Sequence, residues 1–302
     1  MKEALIVIGV LMTATACIDE TDLALPSARP QIVVDAVIST TASESYLKIG
    51  WTSEVNASCT DDFGTTIRCD PGPGSGLHHV NGTARIFESD QVLLAIIPFR
   101  MVDKAGETYL DLNISGTPGS TYTLQIDLEY KGDEEHYTAR TTMLPTPPIT
   151  DITYTIRKGD VGKSDNLVPL ISFTDPPERN FYLFRLCAQE GGIYCGNSRV
   201  WPYSLIADTF LPSNVTNLSI DDGAAIAKYA EFYPRPHPGT GVQVRMYSVD
   251  ENTYFFYKGL IDQFNNDGGA YTPTPSTPRG NVSGDGIGLF RAIQESRATV
   301  YY

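Results

Sequence analysis

The sequence predicts a mainly β protein, with an N-terminal immunoglobulin- or fibronectin-like β-sandwich followed by a second β-rich domain that carries one amphipathic helix near the C-terminus. Three observations support this fold class. Short segments with an apolar-polar alternation recur between turn residues, a proline-rich stretch divides them near residue 145, and one late segment has the period of a helix.

The alternation is clearest in two segments of the first half. In YLKIGWT, Leu47, Ile49 and Trp51 lie on one face, and in YTLQIDLEY every second residue from Tyr122 to Tyr130 is apolar or aromatic. This period is typical of half-buried antiparallel strands. Together with GTARIFES, QVLLAIIPF and YTARTTM, it predicts a sandwich of roughly seven strands over residues 31–145, with a small barrel as the alternative.

The stretch LPTPPIT, residues 144–150, is the predicted domain boundary. Its prolines lack backbone donors, so a sheet cannot continue through it. The segments ITYTI, LVPLISF, NFYLFRLCA and VQVRMYSV that follow are again strand-like. They predict a second β-rich domain over residues 146–302.

A helix is predicted at about residues 249–264. Ser248 followed three residues later by Glu251 fits a capping box, and Asn265 lies at the predicted end. The apolar residues recur at helical spacing and comprise Tyr257, Leu260, Ile261 and Phe264. The glycines of the later segment NVSGDGIGLF predict a tight turn that leads into a final strand.

The first 16 residues have the pattern of an export signal. An apolar run, too short to span a membrane, follows Lys2, and small residues precede Cys17. We expect residues 1–16 to be removed as a lipoprotein signal peptide and Cys17 to be acylated, with ordinary secretion after cleavage at the same place as the alternative. Residues 17–30 are polar and proline-flanked, which predicts a tether.

Lipidation of Cys17 would leave an even number of cysteines. They form two close pairs in the sequence, Cys59 with Cys69 and Cys187 with Cys195. Short separations in an exported chain favour two local disulfides, although four cysteines allow three connectivities.

Charge and motifs exclude several classes of function. The net charge is -14, and the signal segment contains one residue of each sign, so a nucleic-acid partner is not expected. The sequence has no P-loop, no dinucleotide-binding glycine motif, no HExxH and no nucleophile elbow, so we expect no enzyme activity, cofactor or metal site. The candidate binding contacts are Trp201 and Tyr203 in RVWPYS, with partial burial as the alternative.

The order of several segments resembles one family. These are the export signal with Cys17, then RPQIVVDAVIS, GSTYTLQIDLEY, HYTARTTMLPTPPI, TYFFYKGLIDQF and NVSGDGIGLF. In this order they resemble the DUF4249 family of Bacteroidota outer-membrane lipoproteins. The resemblance implies a protein commonly encoded beside a TonB-dependent receptor, and it supplies no catalytic residues.

The acidic residues Asp19, Glu20 and Asp22 resemble the signal that directs such lipoproteins to the cell exterior. We therefore expect a non-enzymatic protein anchored in the outer membrane by its lipid, facing outward, with the periplasmic face as the alternative. Its expected role is accessory to a TonB-dependent transporter, by binding the barrel or a small-molecule, glycan or peptide ligand. A surface adhesion module and, more remotely, a glycan-active enzyme are the alternatives.

Overall fold

The computed structural model describes residues 31–52, 59–60, 66–67, 79–102, 107–130, 132–158, 165–189, 193–195, 203–220, 238–265 and 278–302. The predicted signal peptide and tether lie outside these residues. No helix within these ranges is long and apolar enough to cross a membrane.

The described residues form eighteen strands, one α-helix and two short 3-10 helices. In the first half the strands are β1 (Ile32–Ser39), β2 (Tyr46–Trp51), β3 (Cys59–Thr60), β4 (Thr66–Ile67), β5 (His79–Glu88), β6 (Val92–Val102), β7 (Thr108–Asp111), β8 (Thr121–Tyr130) and β9 (Asp133–Thr142). The 3-10 helices are Ala42–Glu44 and Asp208–Phe210.

The second half continues the strand-rich pattern. Its strands are β10 (Ile149–Arg157), β11 (Asn166–Thr174), β12 (Phe181–Gln189), β13 (Ile193–Tyr194), β14 (Tyr203–Ala207), β15 (Asn214–Ser219), β16 (Gly241–Ser248), β17 (Ile287–Ile293) and β18 (Glu295–Tyr301). The helix α1 spans Glu251–Asn265, between β16 and β17. The mainly β fold with one helix near the C-terminus is therefore confirmed.

Two four-stranded sheets form a β-sandwich. Sheet A has the order β17-β1-β2-β7 and sheet B the order β6-β5-β8-β9. The apolar residues predicted to share a face are buried between them: Leu47 and Ile49 are fully buried, and the alternate residues from Tyr122 to Tyr130 are at most 4% exposed. Trp51 packs against the same core, with its ring 4.8 Å from that of Tyr130.

Two further sheets come from the second half of the chain. Sheet C has the order β13-β12-β16-β18, with β14 also paired to β12, and sheet D has the order β10-β11-β15. Alternate residues of β12 enter different cores: Leu183 packs with residues of α1, whereas Tyr182 and Phe184 pack with residues of sheet D. Because both faces of β12 are covered, its sequence NFYLFRLCA is an almost continuous apolar run.

The helix begins at Glu251, but its capping residue differs from the prediction. The Thr253 amide donates to Asp250 Oδ1 at 2.8 Å, so Asp250 is the N-cap and the predicted Ser248 cap is wrong. The physical reason is that the chain is still extended at Ser248, the last residue of β16. The predicted apolar stripe does face the core, through Tyr257, Leu260 and Ile261.

The last two strands join the two halves of the fold. Strand β17 pairs in parallel with β1 in sheet A, and its Phe290 and Ala292 lie in the sandwich core. Strand β18 follows after Gln294 and pairs with β16 in sheet C. The segment NVSGDGIGLF therefore leads into two strands rather than one. One strand of the sandwich, β17, therefore comes from the range 146–302, and it pairs with the side of β1 that β2 does not occupy.

Three passages of the chain meet at Thr146, and we call this the Thr146 junction. The Thr146 amide donates to Gln294 Oε1 at 2.9 Å, and its hydroxyl donates to the Gln294 carbonyl oxygen at 2.8 Å. The buried Ser248 amide donates to Thr146 Oγ1 at 2.9 Å. The proline-rich boundary, the end of β16 and the step from β17 to β18 are thus held together.

A glycine is required near the start of β17, at position 288, by close packing against β1. A Cβ on Gly288, whose φ is +126°, would lie 1.8 Å from the Val34 carbonyl oxygen. The Asn281 side chain completes the edge: Nδ2 donates to the Phe290 carbonyl oxygen at 2.7 Å, and the Phe290 amide donates to Oδ1 at 2.8 Å. These contacts explain the composition of NVSGDGIGLF.

We predict that Gly288→Ala lowers the free energy of unfolding by about 3 kcal/mol, because the new methyl group would meet the backbone of β1. Denaturant unfolding followed by circular dichroism measures this. Gly119→Ala is the matched control: it also has a positive φ, +89°, but nothing lies within 4 Å of its added Cβ. It should cost about 1 kcal/mol, and equal losses in the two variants would contradict the proposed close packing.

We predict that Thr146→Val lowers the free energy of unfolding by about 3 kcal/mol, because it leaves the buried Ser248 amide without its acceptor. Thr150→Val is the control, since the exposed Thr150 hydroxyl makes one bond, to the Ser172 carbonyl oxygen. The control should stay within about 0.5 kcal/mol of the unsubstituted chain. A Thr146 variant as stable as this control would show that the junction contributes little.

Candidate functional site

A cavity of about 230 Å³ lies between sheet A and sheet C, on the side of sheet A that faces away from the sandwich core. Strands β1, β2 and β17 supply one wall, and β12, β16, β18 and α1 supply the other. The lining contains three arginines, Arg185, Arg245 and Arg291, together with three tyrosines, two glutamates and a group of aliphatic side chains.

Arg291 forms a closed cluster with two residues of sheet A. Its Nη1 donates to Asp35 Oδ1 at 2.7 Å, its Nη2 donates to the Tyr46 hydroxyl at 3.0 Å, and that hydroxyl donates to Asp35 Oδ2 at 3.0 Å. Burial, opposed by the Arg291 guanidinium and reinforced by the Asp35 carboxylate, raises the pKa of Tyr46 to about 12. The guanidinium also lies over the Tyr257 ring, 5.7 Å from its centroid.

Arg245 has a carboxylate partner, Glu295, in its own wall of the cavity, on the neighbouring strand β18. Its Nη1 lies 3.3 Å from Glu295 Oε2, and both side chains are less than one-fifth exposed. The Tyr247 hydroxyl donates to the same carboxylate oxygen at 2.9 Å, and Arg245 Nε donates to Gln243 Oε1 at 2.9 Å. Two donors therefore hold Glu295, so this ion pair stiffens the wall of the cavity.

Arg185 differs from the other two arginines. Its Nη2 donates to the Cys195 carbonyl oxygen at 3.2 Å, while its buried Nε has no hydrogen-bond partner among the described residues. No described carboxylate lies within 4.0 Å of its guanidinium. Native proteins rarely leave a buried donor unpaired, because the cost is about 1–3 kcal/mol. Arg185 is therefore the cavity arginine whose charge no described carboxylate balances.

The strand register puts the arginines in a row. Arg185 of β12 is paired with Arg245 of β16, which is paired with Arg297 of β18. Like charges directly opposite one another on neighbouring strands repel. The Glu295 carboxylate of β18 offsets this repulsion, since it lies 3.3 Å from Arg245 Nη1 and 3.9 Å from Arg297 Nη1. Both contacts are on the β18 side of the row.

The structure supports one of the two predicted disulfides. The Sγ atoms of Cys187 and Cys195 are 2.13 Å apart, and the bond closes a short loop beside Arg185. Cys69 lies outside the described residues, and only the backbone of Cys59 is described, paired with Ile67 in the β3-β4 hairpin. The pairing of Cys59 with Cys69 stays a prediction.

The other predicted site residues are placed unevenly. Cys17 and Trp201 lie outside the described residues. Tyr203 begins β14, and the register places it opposite Arg185 in sheet C. Tyr203 is therefore the strand neighbour of a residue that lines the cavity.

Sequence reasoning missed all three cavity arginines. Each occurs singly within an apolar strand: FRLC in β12, VRMY in β16 and FRAI in β17. The signal in the sequence was a lone charged residue within an apolar run, because a charge on a strand that is buried on both faces needs a partner. The partners come from distant segments, so the sequence does not identify them.

Sheet B carries a second polar cluster, which is more exposed. Asp127 Oδ1 lies 2.6 Å from His136 Nδ1, and the Asp127 carboxylate also accepts a hydrogen bond from Arg85. The contact with His136, assisted by Arg85, holds the pKa of the Asp127 carboxyl below its usual range. This cluster joins neighbouring strands, and within the described ranges no group of three or more His, Cys, Asp or Glu side chains could hold a metal ion.

We predict that Tyr46→Phe removes a stability change at high pH. The pKa of Tyr46 rises on folding from 10.0 to about 12, so its contribution is complete below pH 10 and is lost as the pH rises towards 12. The unsubstituted chain should lose up to about 3 kcal/mol more than the variant over that range, measured by denaturant unfolding at stepped pH.

Tyr301→Phe is the control for the Tyr46 experiment. It also removes one tyrosine, but from a position that is 53% exposed at the end of β18. Its pH profile should follow the unsubstituted chain. If Tyr46→Phe showed that same profile, Tyr46 would not be the group that titrates.

Comparisons with known proteins were made for the whole chain. A family model described as a domain of unknown function, DUF4249, matches residues 18–299. No curated protein matches. Among solved structures, the FN1-FN3 domains of chicken CNTN1 are similar at 11% identity and a TM-score of 0.24, with 74% of this chain and 64% of that chain covered.

Red sea bream transglutaminase is similar at 11% identity and a TM-score of 0.25, with 74% of this chain and 29% of that chain covered. These TM-scores are low, so the two structures carry no argument about fold or function. The family model covers nearly the whole sequence and agrees with the order of segments noted in the sequence. The chain belongs to the DUF4249 family.

Proposed function

We propose that this chain is a non-enzymatic, lipid-anchored protein of the cell envelope, which binds a ligand in the cavity between sheets A and C and assists a TonB-dependent outer-membrane transporter. The observation that carries the proposal is the cavity itself. It lies between two sheets and a helix, and it is lined by a half-buried arginine, Arg185, that has no carboxylate partner among the described residues. Concave sites that combine apolar walls with convergent polar groups are typical of ligand binding.

The chemistry of the lining favours binding over catalysis. Glu295 is held by Arg245 and Tyr247, and the phenol of Tyr46 stays protonated until about pH 12. The Tyr46 hydroxyl therefore does not exchange its proton near neutral pH, and the hydrogen-bonded Glu295 carboxylate is fixed in place. The Glu44 carboxylate is exposed at the rim and accepts from the Ser39 hydroxyl at 3.0 Å.

The anchor and the partner are proposed from the sequence. Cys17 follows an export signal, and an acylated N-terminal cysteine supplies more than the two chains that stable anchoring requires. The acidic residues that follow Cys17 support an outward orientation, on the cell exterior. The DUF4249 resemblance supports a TonB-dependent receptor as the partner.

Affinity co-purification from an outer membrane tests the proposed function. The tagged full chain should enrich one TonB-dependent barrel over a tagged lipoprotein that carries the same signal segment and an unrelated domain. Mass spectrometry of the mature N-terminus should find lipid on Cys17. We expect Cys17→Ala to leave the membrane fraction, because the variant lacks the thiol that would carry the lipid.

Three results would contradict parts of this proposal. Equal recovery of the barrel with the control lipoprotein would remove the transporter partnership. A Cys17→Ala variant that stays in the membrane fraction would remove the lipid anchor. A cell-attachment defect on deletion, without any barrel partner, would favour an adhesion module instead.

A further inference from the structure

The three arginines of the cavity differ in how their charges are balanced. Arg291 lies 2.7 Å from Asp35, and Arg245 lies 3.3 Å from Glu295. Arg185 has no such partner among the described residues, and its only hydrogen bond there goes to a neutral carbonyl oxygen, that of Cys195. Among the described residues, Arg185 is thus the cavity arginine without a carboxylate partner, while the lining carboxylate of Glu44 is exposed and accepts from Ser39.

The row of arginines makes this imbalance costly. Arg185 is the strand neighbour of Arg245. The carboxylate of Glu295 forms ion pairs with Arg245 and Arg297, on the β18 side of the row. An anion at the Nη atoms of Arg185 would relieve this repulsion. A guanidinium edge offers two parallel donors, which match the two oxygens of a carboxylate.

The size and walls of the cavity limit what such an anion can be. Its volume of about 230 Å³ lies below the roughly 300–1,000 Å³ of pockets for drug-sized ligands. The aliphatic part of the lining consists of Val37, Leu183, Val249 and Ile293. Because one arginine of the lining lacks a carboxylate partner among the described residues, a monoanion suits the site better than a phosphate monoester, whose charge is about -1.5 to -2 at neutral pH.

We propose that the cavity binds a small monocarboxylate with an apolar body, with its carboxylate on Arg185 and its body against the aliphatic walls. This inference rests on the proposed function, since it names the ligand class of the same cavity. Arg185 is then the residue that determines the class of ligand, and Arg245 and Arg291 are structural members of the walls.

Isothermal titration calorimetry on the full chain tests the proposal, with hexanoate, benzoate and phenylacetate as probes. At least one of them should bind saturably below about 10 mM. Hexanamide, which has no charge, and inorganic phosphate, which has no apolar body, should bind at least about tenfold more weakly. Arg185→Gln should weaken the bound acid at least about tenfold, and Arg185→Lys should fall between, because lysine keeps the charge but loses the paired donors.

Arg297→Gln is the matched control. Arg297 belongs to the same row but is 67% exposed and does not line the cavity. The affinity of the Arg297→Gln variant for the acid should stay within about twofold of that of the unsubstituted chain. Circular dichroism spectra of all three variants show whether each is folded. If Arg185→Gln is not folded, the affinity of Arg185→Lys tests the role of Arg185.

The outcomes separate this inference from the proposed function. Absence of saturable binding for all three acids, equal binding of phosphate, or unchanged affinity in folded Arg185 variants would overturn the carboxylate site. If the barrel still co-purified in that case, the proposed function would stand without this ligand class. If the acid bound through Arg185 and no barrel co-purified, the ligand site would stand and the partnership would fall.

Discussion

The arrangement of the four sheets depends on the hydrogen bonds at the Thr146 junction. Three connections run between the sandwich and the other sheets, and two of them are the proline-rich stretch after β9 and the single residue Gln294 between β17 and β18. Thr146 binds Gln294 through its amide and its hydroxyl, and it also accepts from Ser248. Since Gln294 lies between a strand of sheet A and a strand of sheet C, these bonds set how the two sheets face each other.

The cavity follows from that constraint. One face of sheet A packs into the sandwich core, while the other face packs against α1 near Leu289 and carries the Arg291 cluster further along. Sheet C is covered on its far side by sheet D. Charged side chains between these layers are largely removed from water, so each ion pair there needs close geometry to offset the cost of desolvation. The pairs at Arg291 and Arg245 provide that geometry, and Arg185 keeps its capacity for a ligand.

Much of the fold could be predicted from local patterns. The alternation in YTLQIDLEY predicted the buried face of β8, and the spacing of Tyr257 and Ile261 predicted the buried face of α1. These predictions held because the period of side chains along a strand or helix depends on the backbone alone. The Ser248 cap failed because the end of β16 depends on its pairing with β12, which a local pattern does not contain.

The sequence by itself determined the β-rich class, the proline-rich interruption, the helix and the family, because each of these follows from nearby residues or from their order. Only the tertiary structure decided that β17 enters the sandwich beside β1. The two strands are far apart in the sequence: Asp35 of β1 and Arg291 of β17, which form an ion pair, are separated by 256 positions. It also decided that three isolated arginines share one cavity and that one of them lacks a carboxylate partner among the described residues. Strand pairing and charge balance are properties of residues brought together from distant segments, and this is why the candidate site could not be predicted from the sequence.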